Sequence, residues 1–490
     1  MSRIVTPEDI AGSYDKDALW TPLGLIAPLE ARVSGHVPAR PARGISIDTR
    51  SLRPDDLFFG IRGDRTDGHD YVAAAFAKGA MAAVVDEAHA DRLAPLGPLY
   101  VVHDVLPALE RLGLASRGRS AARIIAVTGS VGKTSTKETL RLVLTQAGKV
   151  HASVASYNNH WGVPLTLARM PRDTDFGVYE IGMNHTGEIT PLVGMVRPHI
   201  AIITTVAPVH LEYFDSVEAI ADAKAEIFSG LMPGGVAIVH RDIAQFDRIA
   251  ATARRSPAGL LVSFGRHEEA DARLIDLVPA PDHSMVTAEI QGKRLTYRLG
   301  APGRHFAENS LAVLLAAKAC GVPLEDAAAV LAFSTPQAGR GQQLLLEAGD
   351  GPFRLIDESY NANPASMRAA VEFAGTLPLD GIGRRIAVLG DMLELGDHAP
   401  QLHQDLAEVL REARFDLVFA AGPLMRHLFD ALPSGLRGEW RATAGELAPL
   451  VAAVVRRNDI VLIKGSNGSR MTAVVESLKE KARLAGVETV

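Results

Sequence analysis

Ile124-Ile125-Ala126-Val127-Thr128-Gly129-Ser130-Val131-Gly132-Lys133-Thr134-Ser135 runs from apolar residues through two glycines into a lysine and two hydroxyls. It reads as a buried strand, a tight turn and the start of a helix. Glycines let backbone N–H groups turn inward toward an anion, and the helix that follows adds its positive end. In that frame Lys133 reaches the outer phosphates of a nucleotide and the Thr134 hydroxyl ligates Mg²⁺, which points to ATP or GTP. The usual form of such a loop has a glycine where this chain carries Val127.

The rest of the composition bounds what surrounds that loop. The chain has 490 residues, 47% hydrophobic and 5% aromatic, a globular composition long enough for about three domains. Its 51 basic and 57 acidic residues leave a formal charge of −6, which argues against a polyanion such as DNA as the main partner. Cys320 is the only cysteine, so no intramolecular disulfide and no cysteine-based zinc site can form. No uninterrupted run of about 18 apolar residues occurs, and the N-terminus lacks the apolar core of a leader. A cytoplasmic protein with no membrane insertion is expected.

Upstream of the loop, Ile45 to Arg50, Asp56 to Ile61 and Ala80 to Val85 read as short strands and Tyr71 to Lys78 as helix. The polar stretch Ser116 to Arg123 reads as a linker. Downstream, strands at Phe176 to Ile181, Ile200 to Val206 and Val236 to Val239 alternate with helical segments, so the fold class is α/β with a doubly wound, mostly parallel sheet. After the glycine-rich Gln337-Ala338-Gly339-Arg340-Gly341, a second linker, strands at Ile386 to Leu389, Leu417 to Ala420 and Ile460 to Ile463 predict a smaller Rossmann-like domain.

In open parallel sheets ligands gather beyond the carboxyl ends of strands. Glu180 and His210 follow two such ends, and with Thr134 they offer hard oxygens and an imidazole to one or two divalent cations, Mg²⁺ first. Taken singly, Glu180 is about as often a helix cap or salt-bridge partner, and a lone His210 is more often structural than a ligand. Lys224 falls inside the apolar stripe Val217, Ile220, Ile227, Phe228 and Leu231 of a helix expected over Ser216 to Leu231. It either snorkels or serves a site. Two loops, Ser156 to Pro164 and Ile356 to Pro364, are rich in Asn, aromatic residues and Pro, a composition that suits amide hydrogen bonding and also ordinary turns.

Together, the phosphate loop, Asn158-Asn159 with Gly162-Val163-Pro164, Glu180-Ile181-Gly182-Met183-Asn184-His185, His210 and Ala223-Lys224-Ala225-Glu226-Ile227-Phe228 resemble the Mur ligases in the family's order. The missing loop glycine is usual there. Asp48-Thr49-Arg50, Asp67-Gly68-His69, Asp357 to Pro364, Gly390 to Gly396 and Lys464-Gly465-Ser466 are similar to the branch that adds D-alanyl-D-alanine. The resemblance implies three domains. These are a smaller α/β domain over 1–120 that holds a UDP-sugar peptide, a central ATPase domain of P-loop type over 121–340, and a C-terminal Rossmann-like domain over 341–490. The implied partners are UDP-N-acetylmuramoyl-tripeptide and D-Ala-D-Ala, joined through an acyl phosphate at the cost of ATP, by a monomer.

Residue by residue, the resemblance implies that Thr128 to Ser135 hold the phosphates, with Lys133 catalytic, and that Thr134, Glu180 and His210 hold magnesium, two ions in all. Lys224 matches a lysine that the family carbamoylates. Asn309, at a helix start, matches the residue that meets adenine, although His305-Phe306 departs from the expected His-Asn. Arg340 matches the arginine that reaches the phosphates from the domain junction, and Asp357 a nucleotide contact, with Glu358 where a second aspartate is common. Ser46, Asp48, Thr49 and Arg50 belong to the uridine site. Asn158, Asn159, Asn184, His185, Tyr360, Asn361 and Asn363 would help place substrate, and Lys464 with Ser466 would meet the dipeptide carboxylate. The lysine- or diaminopimelate-adding branch is the runner-up, but its Asp-Asn-Pro-Arg signature is absent. A P-loop ATPase without ligase activity is the alternative from another class, and it would have little need for Lys224.

Overall fold

A computed structural model describes residues 18–63, 66–154, 156–209 and 211–484. They form three sheets, each flanked by helices. The first holds β1 (Arg32–Ser34), β2 (Gly44–Ser46), β3 (Asp56–Phe59), β4 (Ala82–Asp86) and β5 (Leu99–Val102) in the order β1-β5-β4-β3-β2, parallel except for β1. Because β2 ends at Ser46, Asp48 to Arg50 form a turn past its carboxyl end rather than a strand continuation.

The helix Val105–Gly118 leads out of this sheet. It absorbs the first part of the linker expected over Ser116 to Arg123, because Leu109, Leu112 and Ser116 bury one face down to its last turn. Arg123 already begins the next sheet, so only residues 119–122 connect the two.

The central sheet has nine strands: β6 (Arg123–Thr128), β7 (Val150–Ala152), β8 (Phe176–Glu180), β9 (Ile200–Ile203), β10 (Gly235–His240), β11 (Ala258–Gly265), β12 (Ala272–Pro279), β13 (Ser284–Ile290) and β14 (Lys293–Leu299). Their order is β14-β13-β12-β11-β10-β9-β6-β8-β7, parallel except for the antiparallel run β12-β13-β14. β6 shows how it is packed. Ile125 and Val127 face the core under the helix Lys133–Leu144, while Ile124 and Ala126 face the opposite core with Ile220 and Phe228. Each such fully buried Ile or Val contributes roughly 1.5–3 kcal/mol, so alternation along one strand welds helices to both faces. The helix expected over Ser216 to Leu231 is an α-helix over Val217–Ala225 that tightens into a 3₁₀ turn over Glu226–Gly230.

The third sheet contains β15 (Gln342–Glu347), β16 (Pro352–Glu358), β17 (Arg385–Gly390), β18 (Leu417–Ala421), β19 (Arg437–Arg441) and β20 (Ile460–Lys464) in the order β15-β16-β20-β17-β18-β19. All pairs are parallel but β15-β16. It joins the central part through a stretch in which Gly339 and Gly341 take φ of +74° and +94°. Among the described residues, no helix is long and apolar enough to cross a membrane.

Candidate active site

The loop after β6 is shaped by two glycines. Gly129 has φ +148°, and a Cβ there would lie 2.0 Å from Thr204 Oγ1; Gly132 has φ +87°, and a Cβ would lie 2.5 Å from Asn309 Nδ2. Side chains are excluded by neighbours as well as by torsion. Gly132 caps the helix Lys133–Leu144 without any side-chain hydrogen bond, so the first-turn N–H groups have no capping acceptor. Ser130 is fixed from both directions, its N–H donating to Thr205 O at 2.8 Å and its Oγ to Ala207 O at 3.1 Å.

Glu180, at the end of β8 and 1% exposed, accepts from Thr134 Oγ1 at 2.7 Å and from Asn158 Nδ2 at 2.7 Å. Lys133 donates to Gly129 O at 2.7 Å. Burial holds its ammonium below the usual range, opposed by Glu180 and reinforced by Arg340. Lys224 lies 2% exposed with no hydrogen-bond or ion-pair partner among the described residues. Burial first, and the neighbouring Lys133 charge second, push its amine well below the ordinary lysine value. The sequence left a snorkelling stem and a site residue open for Lys224; its burial decides against the snorkel.

Lys133, Thr134, Asn158 and Glu180, but not Lys224, line a cavity of about 290 Å³ between the central and third sheets. The loop residues Ser130 to Ser135, Asn158 and Glu180 form one wall; Arg340, Tyr360, Asn361, Asn363 and Lys464 belong to the other. Arg340 spans the two, donating to Ser156 Oγ at 3.0 Å and stacking its guanidinium 3.9 Å from the Tyr360 ring centroid. Lys464, 2% exposed, donates to Glu358 Oε2 and to Asn361 O, each at 3.0 Å. The cations Lys133, Arg340 and Lys464 outnumber the acids Glu180 and Glu358 among the lining residues, which suits a polyphosphate.

Several expected residues lie elsewhere. Thr128 and Gly129 sit behind the loop, and Asn309 is in the second turn of the helix Arg304–Ala319, not at its start, packed against Gly132. Asp357 does not line the cavity. Its Oδ2 accepts from Gly339 N at 2.9 Å and its Oδ1 from Ser359 Oγ at 2.6 Å, so it pins the junction, and Glu358 is the acid that faces the cavity. Asn363 caps the helix Pro364–Thr376 in a capping box with Ser366 while still touching the cavity. Ser466 lies in an adjoining space with Leu393, Glu394 and Asn467, its Oγ donating to Ala362 O at 3.2 Å. Asn159 caps the turn into Gly162 through its Oδ1, and Glu188 gathers Asn184 N and His185 Nδ1. Ser46, Asp48, Thr49 and Arg50 remain together past β2, with Arg50 paired to Asp48 at 2.7 Å. His210 lies outside the described residues. Ser156, which opens the Asn-rich loop, lines the cavity and braces Arg340, and His305 and Phe306 line it too, with no local pattern in the sequence that marks them as site residues.

Three family models cover this architecture in order: the Mur ligase family catalytic domain over residues 41–117, the Mur ligase middle domain over 127–317 and the Mur ligase glutamate ligase domain over 339–467. The chain belongs to the Mur ligase family. It is 33% identical over 432 residues to the UDP-N-acetylmuramoyl-tripeptide–D-alanyl-D-alanine ligase of Rickettsia prowazekii, covering 88% of this chain and 94% of that one. Among solved structures, MurF from Acinetobacter baumannii superposes with a TM-score of 0.82 at 30% identity, over 94% of this chain and 99% of that one. The UDP-N-acetylmuramoylalanyl-D-glutamyl-2,6-diaminopimelate–D-alanyl-D-alanyl ligase from the same organism gives 0.80 at 29% identity, over 94% and 98%.

Proposed function

We propose that this chain is an ATP-dependent amide ligase that joins D-Ala-D-Ala to the terminal carboxylate of UDP-N-acetylmuramoyl-tripeptide, acting in the cytoplasm as a monomer on a peptidoglycan precursor. The observation that carries the reading is the shared cavity, where a phosphate loop, a hydroxyl–carboxylate pair and three cations from the central sheet's side, the junction and the third sheet converge. The N-terminal domain over 1–120 would hold the UDP-sugar, with Ser46, Asp48, Thr49 and Arg50 near the uridine. The domain over 121–340 would hold ATP, and that over 341–490 would bring the dipeptide through the space at Ser466.

A carboxylate is a poor acyl donor because its leaving group would be oxide. In the first step a substrate carboxylate oxygen attacks the γ-phosphorus and ADP departs. In the second the dipeptide amine adds to the acyl carbon, and the tetrahedral adduct expels inorganic phosphate and loses a proton to give the amide. Lys133, Arg340 and Lys464 neutralise charge on the transferring group, and the uncapped first-turn N–H groups orient the phosphates. Thr134 and Glu180 fit a hard cation, since a hydroxyl oxygen and a carboxylate already meet at 2.7 Å. They would hold Mg²⁺ together with His210, and bound magnesium supplies Lewis-acid charge to the phosphates. Lys224 would be carbamoylated: its depressed basicity keeps a neutral amine available to add to CO₂, and the product replaces an unpaired buried amine by an anion suited to a cation-rich site.

Phosphate release from ATP and Mg²⁺ with UDP-N-acetylmuramoyl-tripeptide, with and without D-Ala-D-Ala, tests the reading. Release that requires both substrates and yields the pentapeptide nucleotide by mass supports it; release indifferent to the dipeptide overturns it.

A further inference from the structure

Past Asn158 the cleft adjoins a second cavity of about 460 Å³, walled by the N-terminal helix Val105–Gly118 through Glu110 and by the central helix Ile189–Val196 through Leu192 and Met195. Met183 and Leu192 are buried, 7% and 4% exposed, and give it an apolar floor able to lie along a methylene chain. Two carboxylates border it, Glu110 and Glu188, and no lysine or arginine does. Glu188 is already occupied by Asn184 N at 2.7 Å and His185 Nδ1 at 2.9 Å. Glu110 has no hydrogen bond or ion pair among the described residues, and burial holds its carboxyl above the usual range against the opposing charge of His160. It is an acceptor in want of a cationic donor.

Asn158 belongs to both spaces, and its amide holds Glu180. The second cavity thus adjoins the place where a carboxylate would meet the phosphate loop, within reach of a group branching from that carboxylate's α-carbon. The other adjoining space is lined from the third domain by Leu393 and Ser466, on the side from which the dipeptide would come. The second cavity instead has a wall from the N-terminal domain, on the side of the sugar nucleotide.

We propose that this cavity receives the side chain of the third residue of the tripeptide, and that Glu110 selects a diamino acid there by binding its distal ammonium. This rests on the ligase reading above. The ammonium is common to lysine and to the 2,6-diaminopimelate in the name of one Acinetobacter baumannii relative, and the apolar floor accommodates the methylenes of either.

The test uses the full-length enzyme with three UDP-N-acetylmuramoyl-tripeptides, ending in diaminopimelate, lysine or norleucine, the last keeping lysine's methylenes without its ammonium. Dipeptide-dependent phosphate release gives KM and kcat separately. A charge-assisted hydrogen bond contributes roughly 1.5–3 kcal/mol, which is about 10- to 100-fold in affinity. The norleucine form is therefore expected to show a KM at least about tenfold above the better of the two ammonium-bearing forms, with kcat of the same order. In E110Q, that ratio collapses toward one through a rise in KM for the ammonium-bearing form. Wild-type enzyme that takes norleucine equally well, or E110Q that keeps the parent ratio, overturns the proposal while leaving the ligase reading intact. Absence of dipeptide-dependent turnover with all three substrates overturns the ligase reading and this proposal with it.

Discussion

Glu180→Gln keeps the shape of the side chain and removes its charge where the Thr134 hydroxyl and the Asn158 amide meet. Both donors lie at 2.7 Å from a carboxylate that is 1% exposed. Hydrogen bonds to a charged acceptor contribute roughly 1.5–3 kcal/mol each. Glutamine keeps one oxygen as an acceptor, and the hydroxyl can rotate to accept from the new amide, so the cost to folding is about 2 kcal/mol rather than the sum. The cost to turnover is larger if the carboxylate ligates magnesium. Loss of a mere outer-sphere partner of a metal typically costs 10- to 100-fold, so loss of a direct ligand should cost at least about 100-fold, or ~2.7 kcal/mol. Dipeptide-dependent phosphate release across a Mg²⁺ titration, beside urea unfolding of the same preparation, separates the two effects. A Mg²⁺ midpoint and a saturating rate both within about threefold of the parent, with the stability loss present, would refute the metal role and leave Glu180 as a clamp on the loop.

Lys224→Ala should lose activity that added short carboxylic acids partly restore, and ¹³C-bicarbonate should label the parent but not the variant; full activity of the variant would end the carbamate assignment. Lys224→Met should unfold later than an unmodified parent at neutral pH. The unfolded lysine is protonated there while the folded one resists it, a penalty of about 1.4 kcal/mol per pKa unit that shrinks as pH rises toward the unfolded value. His151, which burial pushes down to about 4, donates to Thr166 O at 2.7 Å. Between pH 6.5 and 4 the unfolded chain takes a proton that the folded chain refuses, so stability falls with pH by up to about 3 kcal/mol, and His151→Phe should flatten that part of the urea-midpoint profile. Gly132→Ala must keep φ at +87° and displace Asn309. It should cost on the order of 1–2 kcal/mol of strain and weaken ATP binding about tenfold by calorimetry.

The phosphate loop was legible because every signal for it is local: a short apolar run, then glycines, then Lys-Thr at a helix start. Asp357 and Glu358 were not separable in the same way. Neighbours on a strand point to opposite faces, and only the pairing of β16 beside β20, with Glu358 opposite Lys464, shows which of the two meets the cleft. The start of the helix carrying Asn309 was misplaced because Gly303 precedes it without a capping side chain. β12 does not alternate in sequence, since Leu274-Ile275 and Leu277-Val278 come as adjacent apolar pairs on either side of Asp276, where its pairing with β13 shifts register. Tyr360 and Arg340 were each named from their own loops, but their stacking depends on two segments meeting in space, which no local pattern encodes.

The order of strands in the third sheet has a consequence for how the molecule is made. β20, the last strand among the described residues, lies between β16 and β17 and carries Lys464 at its end. During synthesis its neighbours emerge first and must wait with open edges, since neither can pair fully until Ile460–Lys464 arrives between them. A nascent chain stopped short of that segment has both halves of the sheet, yet it lacks the strand that zips them together and the lysine that reaches Glu358. Completing the domain and completing the site are therefore one late event, and a chain interrupted just before it would be a template for aberrant strand pairing, not a slower enzyme.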